Sequence, residues 1–268
     1  MVNEPSPFLP FIEGIRNGLR EAQGISVEKS KAQHATGPAV LLFSPHPDDE
    51  CIIGLLPLRL MRECGYRVIN IPVTFGSDRS RRPARKLELE AACDWLGWEV
   101  QCGNSSLDPL ASSEIAYVLA QTRPAAIFLP HDKDWNSTHL EVHRRVMEAL
   151  GSMNDGFSCR VIETEFWGAM DDPNLIVEAD SVLLADLVAA TSLHTGEVAR
   201  NPYHLHLPAW MQDNVRRGAE RIGGQGGTAP AFDFATLYRA RSWHNGRLAS
   251  FLTQGTLLPI GESPAQLL

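Results

Sequence analysis

One histidine and three acidic residues stand close together in a short segment of this chain. His46, Asp48, Asp49 and Glu50 lie in residues 45–50, between the apolar runs 39–43 and 52–56. An imidazole and three carboxylates at such a place are costly to bury unless a cation or a proton lies between them. His46 and Asp49 are three residues apart and can converge on one ion, so the spacing predicts a metal site. The alternative is a polar loop whose acidic residues cap a helix.

A third metal ligand is expected after the buried strand predicted at 125–129. Three protein ligands and one open water position are typical of catalytic zinc. His131, His139 and His143 all follow this strand, and the residue pattern leaves the choice among them open. Clustered carboxylates also suit Mg²⁺, which makes a phosphoesterase an alternative, but histidine ligands favour zinc.

Alternating strand and helix patterns must position these residues. Strands are predicted at 39–43, 67–74, 98–102, 125–129, 161–167 and 175–178, and helices at 50–64, 82–96, 114–121, 138–150 and 182–194. Pro57 is expected to kink or shorten its helix, and Gly97 to end the next one. The pattern predicts an α/β fold with a Rossmann-like, mainly parallel sheet and helices on both faces. No G-x-G-x-x-G follows the first strand, so the dinucleotide-binding fingerprint is missing.

The chain is expected to form a single domain over residues 1–268. It divides into an N-terminal helix within 1–35, a core at about 38–197 and an irregular C-terminal extension at about 198–268. Apolar residues recur at near-helical spacing in the N-terminal helix: Phe8, Phe11, Ile12, Ile15 and Leu19. We expect this face to pack on the core or on another subunit, so a homo-oligomer is compatible with the sequence.

Bulk properties exclude several classes of protein. The 268 residues are 44% hydrophobic and 21% charged, as in an ordinary soluble globular protein. The net charge of -8 argues against nucleic acid as the main partner. No transmembrane segment or secretory leader is recognised, and the five cysteines form no C-x-x-C pair. These features predict a cytoplasmic protein with reduced thiols.

Residues 45–50 resemble the signature of the LmbE-like (PIG-L) family of zinc-dependent N-deacetylases, which act on glucosamine-containing substrates. Residues 85–97 are similar to the family helix R-x-x-E-x-x-x-A-x-x-x-L-G, and 134–139 to its second metal motif, D-x-H-x-D-H. Residues 193–197 faintly resemble a later segment in which a histidine closes a helix. The resemblance covers roughly residues 39–197, and no family motif is recognised from Ala199 onward.

The resemblance implies a role for each residue of the first motif. His46, Asp49 and His139 would bind one Zn²⁺ per chain, or another divalent transition metal. Asp48 would be the general base that takes a proton from the attacking water and passes it to the departing amine. Glu50 is expected to lie outside the ligand set or to cap a helix.

The second motif departs from the family pattern at two positions. Its first histidine, to which the family assigns transition-state stabilisation, is Asn136 here, and its inner aspartate is Thr138. An asparagine amide donates a hydrogen bond but carries no charge. Either Asn136 acts as a neutral catalytic donor, or His194, His131 or Tyr203 supplies the function.

Substrate contacts are predicted at Arg85, which by resemblance reaches the sugar, and at Arg82 and Asp134. Asp134 is also suited to orienting a histidine. The basic residues Arg79, Arg81, Arg82, Arg85 and Lys86 are clustered and suit an anionic group, the alternative being a solvated helix start. Trp135, Trp167 and Trp210 are candidates for stacking on a sugar ring or for core packing.

Together, the residues and the resemblance predict a metal-dependent hydrolase whose partner is a small molecule. It would remove the N-acetyl group from an N-acetylated amino sugar or its conjugate. Two alternatives stay open. One is a metal-dependent amidase acting on a non-sugar amide. The other is a sugar- or nucleotide-binding module without turnover, an alternative that rests on Asn136 in place of the family's histidine.

Overall fold

A computed structural model describes residues 6–103, 107–166, 168–252 and 254–268. The stacking candidate Trp167 lies outside the described residues. The helices are α1 Leu9–Gln23, α2 Asp49–Ile52, α3 Leu55–Cys64, α4 Arg82–Leu96, α5 Ser112–Thr122, α6 Ser137–Gly151, α7 Ser181–Ser192, α8 Thr195–Val198 and α9 Tyr203–Ile222. The strands are β1 Ala39–Ser44, β2 Arg67–Pro72, β3 Glu99–Val100, β4 Ala126–Pro130, β5 Cys159–Thr164, β6 Leu175–Ala179, β7 Phe234–His244, β8 Arg247–Ser250 and β9 Thr256–Leu258.

One mixed sheet organises the described part of the chain, in the order β3-β2-β1-β4-β5-β7-β6-β9, with β8 paired to β7. The first five strands of this order run parallel, and β7 is antiparallel to both of its neighbours β5 and β6. Strand β1 is buried along its whole length, with Val40 and Leu42 in one apolar core and Leu41 and Phe43 in the other. Burial on both faces explains why its sequence is apolar throughout, as in other parallel sheets. The predicted mainly parallel α/β fold is confirmed.

The strand order reverses between β1 and β4. After β1 the chain adds β2 and β3 on one side, and then returns to place β4 and β5 on the other. In open α/β sheets this arrangement leaves a crevice beyond the carboxyl ends of the two central strands. Residues 45–50 follow β1 and residues 131–139 follow β4, so both predicted metal motifs lie at this crevice.

The helix predicted at 50–64 is two helices, α2 and α3, separated at Ile53 and Gly54. Pro57 lies in the first turn of α3, where its missing N–H is not needed for an intrahelical hydrogen bond. Helix α4 and its end at Gly97 are as predicted, with Gly97 at φ 77°.

The prediction of an irregular C-terminal extension is wrong. Residues beyond 198 form the 20-residue helix α9 and the 11-residue strand β7, which lies inside the sheet between β5 and β6. Arg239 and Arg241 interrupt the apolar pattern of β7, so the sequence pattern does not predict this strand. Both arginines pair with Glu163 of β5, which lets a charged segment occupy an interior strand position.

Of the two contacts expected for α1, the structure does not show packing on the core, because no residue of this helix is buried. Contact with another subunit stays a prediction. Phe8 is 71% exposed and Phe11 is 64% exposed. Among the described residues, no helix has the length and apolar character needed to cross a membrane.

Candidate active site

Three predicted ligand residues converge at the end of β1. His46 Nδ1 lies 3.3 Å from Asp49 Oδ2, and His139 Nε2 lies 3.5 Å from the same oxygen. Ligand atoms about 2.0–2.1 Å from a tetrahedral zinc ion stand about 3.4 Å apart. One ligand atom from each residue also lies within 4.8 Å of the other two. The donor set and its spacing therefore fit a divalent metal ion such as zinc, with His46 as the partly exposed ligand.

His139 is oriented by a second carboxylate. Its Nδ1 lies 2.9 Å from Asp134 Oδ2, so the ring donates its N–H there and turns the Nε2 lone pair toward Asp49. Burial acts to lower the pKa of His139, but Asp49 and Asp134 together outweigh burial and raise this pKa. Burial acts to raise the pKa of Asp49, but His139 and His46 outweigh it and the pKa is lowered. The lowered pKa keeps Asp49 ionised, as a metal ligand must be, whereas the raised pKa of His139 means that a metal ion would have to displace a proton from its ring.

Asp48 lies beside the ligand set without belonging to it. Burial raises the pKa of Asp48 well above its usual value, and Asp49 and Glu50 add to this effect, while Arg85 opposes it. The nearest cation is Arg85, with Nη2 3.9 Å from Asp48 Oδ1. A buried carboxylate with a raised pKa is suited to accepting a proton.

Arg85 lies against the first motif. Its Nη2 donates to the Pro47 carbonyl at 3.1 Å and lies 3.7 Å from Glu197 Oε1. A Cβ at Gly76 would come within 2.4 Å of Arg85 Nη1, so glycine at that position makes room for the guanidinium. The predicted substrate-binding arginine is thus near Asp48 and already has acidic neighbours.

Arg82 and Asp134, for which substrate contacts are predicted, both have partners within the protein. Arg82 donates to Asp108 at 2.8 Å and to the Gly76 carbonyl at 3.1 Å, and its side chain is 10% exposed. Both oxygens of Asp134 accept hydrogen bonds, from His139 and from the Asn136 backbone. Arg82 therefore links the segments that carry Gly76 and Asp108, and Asp134 orients the candidate metal ligand His139.

The other residues of the predicted basic cluster also lie near acidic side chains. Its five members each lie within 4.0 Å of an acidic oxygen, in these pairs: Arg79 and Arg82 with Asp108, Arg81 with Glu197, Arg85 with Asp48, and Lys86 with Glu90. Each cation of the cluster therefore already has an acidic partner within the protein.

Asn136 is the N-cap of α6. Its side-chain Oδ1 accepts the Thr138 N–H at 2.9 Å, and its own N–H donates to Asp134 at 2.8 Å. The cap uses the amide oxygen and not the NH₂ group. Asn136 therefore joins the loop that carries Asp134 to the helix that carries His139.

Two other candidates for the family's missing histidine have structural partners. His131 Nδ1 accepts the Lys133 N–H at 3.2 Å and its Nε2 lies 2.9 Å from the Gly168 carbonyl, so both ring nitrogens are used. Tyr203 begins α9, and its hydroxyl accepts from the Asn201 amide at 3.1 Å.

His194 belongs to a second cluster, with Glu50 and Cys51. Its Nε2 lies 2.7 Å from Glu50 Oε1, and Cys51 Sγ lies 3.3 Å from the same oxygen. A separation of 2.7 Å is a hydrogen bond and is shorter than the roughly 3.4 Å between ligands of one zinc ion. These residues therefore form a hydrogen-bonded network. Glu50 is fully buried in the first turn of α2, and its Oε2 accepts the N–H of Asp48, the N-cap of this helix, at 2.9 Å.

Comparisons with known proteins show a family match and several similar folds. Residues 41–150 match the family model described as PIG-L: GlcNAc-PI de-N-acetylase. No curated protein matches the chain. N,N'-diacetylchitobiose deacetylase from Pyrococcus horikoshii is 15% identical, with a TM-score of 0.56, over 92% of this chain and 96% of that one.

Two further solved structures show how widely the fold is used. Teicoplanin deacetylase Orf2, in a zinc-inhibited form, is 14% identical with a TM-score of 0.53, over 75% of this chain and 97% of that one. GalB, the 4-carboxy-2-hydroxymuconate hydratase from Pseudomonas putida KT2440, is 17% identical with a TM-score of 0.58, over 76% and 96%. Deacetylases and a hydratase thus share this fold, so the reaction must be argued from the site.

Proposed function

We propose that the chain is a metal-dependent N-deacetylase of an N-acetylated amino sugar or its conjugate, because residues 41–150 match the PIG-L family model. The observation that carries the proposal is the spacing of the three ligand residues, with 3.3 and 3.5 Å between ligand atoms, beside a buried carboxylate. Support also comes from two structural relatives that are named as deacetylases.

The residues of the site would divide the work as follows. A zinc ion held by His46, Asp49 and His139 would supply a Lewis acid that polarises the acyl carbonyl. Asp48, which lies beside the ligand residues, would accept the proton of the attacking water and return it to the departing amine. Asp134 holds the His139 ring in the tautomer that presents Nε2.

Asn136 is the candidate for the second donor to the developing oxyanion. Its Oδ1 is held by the helix cap, which fixes the amide plane and leaves the NH₂ group as the donor. A neutral amide stabilises charge less than an imidazolium does, so we expect lower turnover than a histidine at this position would give.

The paired arginines favour an uncharged substrate. Arg81 and Arg85 both lie against Glu197, and an anionic sugar would have to displace this buried carboxylate. We therefore propose that the sugar unit at the crevice carries no phosphate. N-acetylglucosamine and its neutral oligosaccharides are the first substrates to consider.

The test is acetate release by zinc-loaded and metal-stripped protein from free, oligomeric, phosphorylated, nucleotide-linked and lipid-linked N-acetylglucosamine. The proposal expects release that chelation abolishes and that is faster with neutral members of the panel. The variant Asp48→Asn should keep the metal and lose about 10²–10⁴-fold in kcat. Release from simple amides alone would support the amidase alternative, and sugar binding without release would support a module without turnover.

A further inference from the structure

The backbone of Asp48 adopts a conformation that is rare for a residue with a side chain. Its φ is 114° and its ψ is -33°. Such a conformation costs free energy and persists only where the surroundings fix it, often at functional sites. The backbone of Asp48 therefore needs stabilising contacts from neighbouring residues.

Two hydrogen bonds stabilise the peptide unit between Pro47 and Asp48. On one edge, Arg85 Nη2 donates to the Pro47 carbonyl at 3.1 Å. On the other edge, the Asp48 N–H donates to Glu50 Oε2 at 2.9 Å. Because both polar groups of one peptide plane are held, rotation about the Asp48 backbone is opposed from two sides.

Glu50 is in turn held by a residue from a distant part of the chain. Its other oxygen, Oε1, lies 2.7 Å from His194 Nε2 across a separation of 144 residues. Both side chains are completely buried, so the carboxylate depends on these hydrogen-bond donors for stabilisation. His194 lies at the junction of α7 and α8, outside the segment 41–150 that the family model matches.

We propose that Glu50 and His194 are positioning residues that set the direction of the Asp48 carboxylate by fixing the peptide before it. This replaces the direct catalytic role predicted for His194. The inference rests on the proposed function for its kinetic consequences, but not for its structural ones.

The kinetic test compares His194→Leu, which removes the donor, with His194→Gln, whose amide can still donate to Glu50. His194→Leu is expected to lower kcat by about 10–100-fold with KM within about twofold and zinc retained, as for other residues that orient catalytic groups. His194→Gln is expected to recover most of the loss. His204→Leu, a partly buried histidine at the start of α9, is the matched control and should behave as wild type. Wild-type kcat in His194→Leu, or no recovery in His194→Gln, would overturn the proposal.

A second measurement does not depend on activity. Hydrogen exchange of the Asp48 amide, followed by NMR, should be slow in the wild type and in His194→Gln, and at least about tenfold faster in Glu50→Leu and His194→Leu. If the wild type releases no acetate but this difference is seen, the proposed function fails and the positioning role stands. Equal exchange rates in all the variants would refute the positioning role even in an active enzyme.

Discussion

At the residue scale, His139 lies between two carboxylates with different tasks. Asp49 Oδ2 lies 3.5 Å from its Nε2, at the proposed metal site, and Asp134 holds its Nδ1 at 2.9 Å. A histidine ligand whose other nitrogen is fixed in this way keeps its ring orientation and its tautomer without the metal. The affinity for metal should therefore depend on Asp134 as well as on the ligands.

The variant Asp134→Ala tests this dependence. We expect its affinity for zinc to fall by roughly 10–100-fold, because the His139 ring loses its orienting partner. Competition with a chromophoric chelator measures the affinity. Asp171→Ala, at an aspartate whose side chain is 70% exposed, is the control and should bind as wild type. Equal affinity in Asp134→Ala and the control would show that Asp134 does not support the site.

Part of this site could be predicted from the residues alone. His46 and Asp49 are three positions apart after a buried strand, so local spacing is enough to bring them together. His139 needed the family resemblance, because three histidines follow β4. The role of Arg82 could not be predicted, since it depends on Asp108, a partner 26 residues away that only the folded chain brings close.

At the scale of elements, the break between α2 and α3 is bridged by a tyrosine from the C-terminal region. The Tyr238 hydroxyl donates to the Ile53 carbonyl at 2.6 Å and accepts the Leu56 N–H at 3.0 Å. Two buried backbone groups at the break are satisfied by one side chain, and α2 carries the ligand Asp49.

Replacing Tyr238 with Phe should therefore destabilise the protein. We expect the free energy of unfolding to fall by about 1–3 kcal/mol, because both backbone groups lose a partner in a buried place. Urea denaturation monitored by circular dichroism measures the change. Tyr117→Phe is the control, at a residue that is 66% exposed, and should change stability little. No loss in Tyr238→Phe would mean that the bridge is not needed.

The ends of α3 and α4 offer a matched pair of glycines. Gly65 and Gly97 follow these helices at φ 74° and 77°, but only Gly97 has backbone close to its missing Cβ, at 2.9 Å from the Gln33 carbonyl. Gly65→Ala should cost about 1 kcal/mol from the backbone conformation alone. Gly97→Ala should cost more in urea denaturation, because the added methyl group also meets Gln33. Equal losses would show that the N-terminal segment yields freely.

The sequence predicted the elements of the first two thirds better than those of the last third. Strands such as β1 and β4 are buried on both faces and read as apolar runs, which local patterns detect. Strand β7 contains Arg239 and Arg241, whose charges are offset by Glu163 on a strand distant in sequence. A strand whose charges are offset by such a distant partner cannot be predicted from local sequence patterns.

At the scale of the whole molecule, α1 exposes an apolar face. Large apolar side chains on and beside this helix are more than 40% exposed: Phe8, Leu9, Phe11, Ile12, Ile15 and Leu19. Contiguous apolar surface of this kind commonly marks a contact with another molecule. Association through α1 remains a prediction.

Deleting residues 1–20 tests that prediction. Since no residue of α1 is buried, the free energy of unfolding should change by less than about 0.5 kcal/mol. Sedimentation velocity should show the full chain as a larger species than the shortened one at the same concentration. Identical sedimentation of the two chains would remove α1 from any self-association.

We propose that one metal ion, held by His46, Asp49 and His139, makes this chain a deacetylase. The most direct measurement is the rate of acetate release as zinc is titrated into metal-stripped protein, in the wild type and in Asp49→Ala. We predict that wild-type activity rises to a plateau at one equivalent per chain, while Asp49→Ala neither retains zinc nor gains activity. Stoichiometric zinc in Asp49→Ala would refute the ligand assignment, and wild-type acetate release that does not depend on metal would refute metal-dependent deacetylation.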